Sequence, residues 1–190
     1  MAPSIEAIIK HYELDPSLIE KVSERREPNK IEIINPDPSW PQRYQLLKSR
    51  IETALGSRVL AITHIDAVDI DVTVTDPTDE ASYFTLLEAA GFHFRTRQPH
   101  WHQHRFFSCY EPTANVHIFG PDCPEVVRHC LLREWLAKCP EDRELYAQTK
   151  RQAAKETIEA GERLAKYNLR KQSVIQEILE RAFREAGYIQ

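Results

Sequence analysis

The chain has 190 residues, 42% of them hydrophobic and 28% charged, with a formal net charge of −4. That is one domain, or one domain with an appendage, and enough apolar content for a real core. The acidic balance without a dense Lys/Arg run argues against a general polyanion binder, and no apolar run reaches membrane-spanning length. With no signal-peptide core at the N-terminus, a cytoplasmic protein is expected. Cys109, Cys123, Cys130 and Cys139 form no C-x-x-C pair, so free thiols are expected rather than disulfides or a zinc site.

In chain order, residues 1–29 read as a short helical arm, with Ile5, Ile8 and Ile9 on one face, ending in a polar linker from Ser23 to Asn29. Ile31 to Ile34 predicts a strand. Asn35-Pro36-Asp37-Pro38 then turns the chain, and Ser39 with Gln42 forms a capping box for a helix that Gly56 stops near Leu55. Strands follow at Val59–Ile65 and Val68–Val74. Asp76-Pro77 predicts a helix start, with Asp79 and Glu80 suiting the macrodipole and Gly91 ending the helix. Phe92–Arg97, Arg105–Tyr110 and Asn115–Phe119 read as strands, the first two joined by a His-rich turn. From about Pro124 the pattern is helical, with Leu131, Leu132, Trp135 and Leu136 on one face, a long helix from Tyr146 to about Tyr167, and a last one through Val174 to Phe183. The class is α+β: a mixed sheet flanked by helices, with a helical C-terminal half.

The segment Val68-Asp69-Ile70-Asp71-Val72-Thr73-Val74 alternates strictly, so Asp69 and Asp71 lie on one face of a strand. Neighbouring like charges repel unless a cation lies between them, and hard divalent ions take carboxylate oxygens in this way. The competing reading is an edge strand with an acidic outer face. His117, in Asn115-Val116-His117-Ile118-Phe119, is a candidate third ligand if the two strands are neighbours, and His64 closes the preceding strand near the same sheet edge. His100, His102 and His104 could converge on zinc if their segment is extended; His104 and Arg105 could instead bind an anionic substrate. There is no G-x-S-x-G elbow, Ser108-Cys109 has no recognisable base, and no glycine lies between positions 57 and 90.

Several short segments carry a family likeness in their order and spacing. They are Asp37-Pro38-Ser39-Trp40-Pro41, His64-Ile65, Asp69-Ile70-Asp71-Val72, His104-Arg105-Phe106 and Asn115-Val116-His117-Ile118, then Arg128-His129, Leu132-Arg133-Glu134-Trp135-Leu136, Tyr146 with Lys150, and Tyr167-Asn168 with Lys171. From Ile31 to about Ala186 the chain resembles the GrpB family of the nucleotidyltransferase superfamily. The resemblance implies a nucleotidyltransferase-like core over residues 30–120, with residues 121–190 as helices packed on it. It implies that Asp69 and Asp71 hold Mg²⁺ or Mn²⁺, His117 assisting, for nucleotidyl or phosphoryl transfer from a nucleoside triphosphate to a small acceptor. His64, His104, Arg105, Lys150 and Lys171 are the matching candidates for substrate or phosphate contacts.

One departure is physically consequential. Family members follow the His-Ile with Gly-Ser-Thr-Ser-Val-Pro-Gly and further residues, a turn whose backbone N–H groups can cradle phosphate. Here only Asp66-Ala67-Val68 separates His64-Ile65 from Asp69, and Asp66 adds negative charge where phosphate belongs. The short link is native to the chain or a deletion in its gene model, which sequencing the transcript decides. Impaired transfer is expected; the rival reading is a non-catalytic binding or scaffold protein presenting the helical half around Trp135 and Tyr146.

Overall fold

Period-2 alternation in five segments builds one sheet. In the computed structural model, which describes residues 2–13, 15–25, 31, 33, 37–67 and 69–190, the strands are β1 (Glu20–Lys21), β2 (Val59–Asp66), β3 (Asp69–Val74), β4 (Phe92–Gln98), β5 (His104–Tyr110) and β6 (Thr113–Phe119). Their order is β1-β4-β5-β6-β3-β2. β3 and β6 run parallel, and the other neighbours are antiparallel. The helices are α1 (Ile5–Ile9), α2 (Trp40–Leu55), α3 (Phe84–Ala89), α4 (Pro124–Lys138), α5 (Pro140–Glu159) and α6 (Leu164–Glu185). The fold is α+β with a mixed sheet, as the sequence predicts. The expected Asn35-Pro36 turn, and parts of the 23–29 linker and of the Ile31–Ile34 strand, lie outside the described residues.

The chain divides into two compact units: Ser17–Arg26 with Pro36–Val126, and Met1–Pro16 with Glu27–Asn35 and Val127–Gln190. The N-terminal arm is therefore shared: its helix belongs to the helical unit, and the segment carrying β1 extends the sheet. In the sheet unit, one face buries Ile70, Val72, Val116, Ile118, Phe94 and Phe107 against Leu47, Ile51 and Leu55 of α2 and Leu87 of α3. In the helical unit, Ile8 packs with Leu179 and Phe183, while Ile31 and Ile33 pack on Ala153, Ala154 and Tyr167.

Local chemistry moves several boundaries. Ser39 makes no side-chain cap on α2; instead Asp37 accepts a hydrogen bond from the Ser39 N–H at 2.8 Å and, with that bond stabilising its ionised form, has its carboxyl held below the usual range. Gly56 ends α2 with φ +56 and ψ −130, which only glycine adopts without strain. After Val74, Asp76 spends its carboxylate on the Thr78 N–H and hydroxyl, so the expected helix start becomes a turn. A 3₁₀ turn at Glu80–Ser82 precedes the short α3. The long helix expected from Tyr146 to Tyr167 breaks at Gly161 (φ +62), where the Glu162 N–H closes back on the Thr157 carbonyl at 3.0 Å. That Schellman-type closure ends α5 and gives Tyr167 to α6.

Candidate functional site

The strand register sorts the sheet's side chains. Asp69 stands opposite Asn115 and Asp71 opposite His117 across the parallel pair, and Phe106 of β5 is level with His117. Directly paired residues share a face, so Asp69, Asp71, Asn115, His117 and Phe106 line the face opposite the α2/α3 core. The sequence-predicted adjacency of Asp69, Asp71 and His117 is present. Asp71 is 1% exposed, and the Asp69 and His117 side chains are half-buried.

This face carries two hydrogen-bonded chains. In the first, Arg25 donates to the Asn115 amide oxygen at 2.9 Å, and the Asn115 amide donates to Asp69 Oδ1 at 2.7 Å. In the second, His104 Nδ1 lies 2.7 Å from the Gln98 amide oxygen and His104 Nε2 lies 2.9 Å from His117 Nδ1. With the amide oxygen as acceptor, His104 carries its proton on Nδ1 and His117 donates from Nδ1. His117 Nε2 faces Asp69 Oδ1 at 4.0 Å, beyond hydrogen-bond range. Trp101 and Phe119 pack edge-on to one another and around the buried His104 ring.

Sheet geometry redirects other expected site residues. A bulge in β4 between Phe94 and Thr96 breaks the period, as bulges do. Arg95 bonds Ser108 on the polar face, whereas Arg97 and its partner Arg105 turn to the other side and meet Glu80. Arg105, expected to contact phosphate, is 5% exposed and spent on Glu80 and the Gln103 carbonyl. His64 pairs with Ile70 and therefore faces the helices, stacked on Tyr44 of α2 with ring centroids 4.6 Å apart. Neither belongs with Asp69 and Asp71. Lys150 and Lys171 lie in the helical unit, each over the tyrosine four residues before it, Tyr146 at 4.8 Å and Tyr167 at 4.0 Å. His102 and Gln103 have positive φ, so His100, His102 and His104 form a turn rather than an extended triad. Trp135 and Tyr146 are half-buried, and the Trp135 indole donates to Asp142 inside the helical unit at 2.6 Å.

The donor chemistry of Asp69, Asp71 and His117 suits a hard divalent ion, but their placement does not complete a centre. Among the described residues no three His, Cys, Asp or Glu side chains are grouped to hold a metal, and Asp69 Oδ1 is taken by Asn115. Burial pushes the Cys123 thiol up to about 11, so it stays protonated at neutral pH and offers no nucleophile. The residues that sequence reading missed here are Arg25 and Arg95. The first lies in a segment read as linker; the second sits at the β4 bulge, on the polar face with His93 and Ser108.

Comparison with known proteins agrees with the geometry. The sequence matches the family described as GrpB protein over residues 30–181. It is 32% identical to a UPF0157 protein of Halalkalibacterium halodurans, over 80% of this chain and 82% of that one. It is 29% identical to a UPF0157 protein of Pseudomonas aeruginosa, over 81% and 68%. The fold matches the crystal structure of the conserved protein GrpB from Enterococcus faecalis with TM-score 0.64 at 19% identity, covering 80% of this chain and 96% of that one. Among the described residues no helix is long and apolar enough to cross a membrane.

Proposed function

Because this chain belongs to the GrpB family, we propose that its sheet keeps the layout of a nucleotidyltransferase site but binds a small polar ligand without metal-dependent transfer. The observation that carries this is the β2–β3 hairpin. Asp66 pairs directly with Asp69, so β2 and β3 stay paired right up to the short link between them. The Ala67 N–H is committed to Asp66 Oδ1 at 2.8 Å, and the N–H groups of the flanking strands belong to a β ladder instead of an anion-binding loop. A triphosphate held against Asp69 would meet the Asp66 carboxylate where other family members place glycine and serine. Asp69 in turn is satisfied by protein donors, Asn115 directly and Arg25 through it.

The test is pyrophosphate release from ATP, GTP, CTP and UTP with Mg²⁺ or Mn²⁺ in a mixture of small hydroxyl and amine acceptors. No release above the buffer rate is expected. Metal-dependent release that Asp69→Asn/Asp71→Asn abolishes overturns the reading.

A further inference from the structure

Arg95 is 6% exposed, yet among the described residues every hydrogen-bond partner of its guanidinium is neutral: Ser108 Oγ at 2.7 Å, Ser23 Oγ at 2.9 Å, the Glu24 carbonyl at 2.6 Å and the Tyr110 hydroxyl at 2.9 Å. A buried arginine is ordinarily matched by a carboxylate, as Arg105 is by Glu80 in the same sheet. Arg25 lies beside it. Among the described residues one of its five N–H donors is used, on the Asn115 amide oxygen, and its guanidinium lies 5.8 Å from the centre of the Phe106 ring. Burial and then the neighbouring Arg95 depress its pKa, with Asp69 the weakest of the charges acting on it. Two guanidinia therefore share one polar face, and Asp69, the carboxylate among the described residues that acts on Arg25, is already hydrogen-bonded to Asn115.

We propose that Arg25 and Arg95 form an oxyanion site on the polar face of the sheet, taking the phosphate group of a small phosphomonoester. Phosphate carries about −1.5 to −2 charge at neutral pH and accepts a guanidinium fork in bidentate fashion. It therefore balances both arginines, which a monocarboxylate does not. Arg25 supplies the open fork, while Arg95, fixed by Ser108, Ser23 and Tyr110, supplies charge and one remaining N–H. Phe106 beneath Arg25 keeps its plane in place. Arg25, Asn115, Phe106 and Tyr110 all retain some exposed surface, so a ligand reaches them from solvent. This names the ligand class of the binding face proposed above and rests on that reading.

The experiment is a titration of the full chain with inorganic phosphate at constant ionic strength. Thermal unfolding and the guanidinium Nε–H resonances in NMR are followed, with chloride and acetate as controls. Saturable stabilisation by phosphate but not by chloride or acetate is expected, with the shifted resonances assigned to Arg25 and Arg95. Arg25→Gln is expected to weaken phosphate at least tenfold. Asp69→Asn, which removes the competing carboxylate, is expected to tighten it. Phosphate no better than chloride overturns the site irrespective of how any variant folds. Acetate equal to phosphate overturns the phosphate assignment, and unchanged affinity in Arg25→Gln overturns the role of Arg25. A failure of this kind is separable from a failure of the functional reading, which shows as metal-dependent pyrophosphate release.

Discussion

Glu80→Gln is expected to cost about 3 kcal/mol of stability, within the range for breaking a buried ion pair by removing one partner. Glu80 receives Arg97 through two nitrogens, each at 2.5 Å, and Arg105 Nε at 2.7 Å. The side chain of Arg105 is 6% exposed, so it loses its counter-charge where water cannot replace it, while Arg97, 33% exposed, is partly rehydrated. The readout is the urea midpoint followed by circular dichroism, where a loss of this size is roughly 1–2 M for typical urea slopes. The pH dependence has a defined sign. Hydrogen bonds from Arg97 hold the Glu80 carboxyl below its ordinary value of 4.5. Its contribution is therefore complete above that value and is lost as pH falls through the lower folded-state pKa. The gap between parent and variant should be constant from neutral pH to about 4.5 and narrow below it.

A second large effect is expected in the helical unit. Asp142, 7% exposed in the first turn of α5, accepts the Trp135 indole N–H of α4 at 2.6 Å and two Arg181 nitrogens of α6 at 2.8 Å each. One carboxylate thus ties three helices together. Asp142→Ala is expected to destabilise by about 2 kcal/mol, less than at Glu80 because both surviving donors reach water. Trp135 fluorescence should report the loss directly. Arg181 lowers the Asp142 pKa from 3.8, so this stabilisation too is present at neutral pH and fades only in stronger acid.

What could be read in the sequence, and what could not, divides along the range of the interaction. Strand alternation and the Asp69/Asp71 pairing are local, and period 2 carried them through; placing His117 opposite Asp71 needed only that β3 and β6 be neighbours. Elsewhere the sheet departs from strict alternation by displacements of one residue. The β4 bulge separates Arg95 from Arg97, which strict alternation would keep together: Arg95 stays on the polar face with His93, and Arg97 is sent to Glu80. His64 faces the helices through regular pairing with Ile70, and the irregularity of β2 between His64 and Asp66 brings Asp66, not Ile65, level with Asp69. Arg25 was invisible because its value comes from a contact ninety residues away. The break at Gly161 was legible in principle, since a glycine in a sparsely apolar helix is a C-cap signal.

The most direct measurement of the central claim is a calorimetric titration of the intact chain with ATP in Mg²⁺, in Mn²⁺ and in EDTA. The closed hairpin and the protein-satisfied Asp69 predict the same isotherm in all three, and no loss of affinity in Asp69→Asn/Asp71→Asn. Stoichiometric binding that appears only with the metal and vanishes in the double variant would contradict the account.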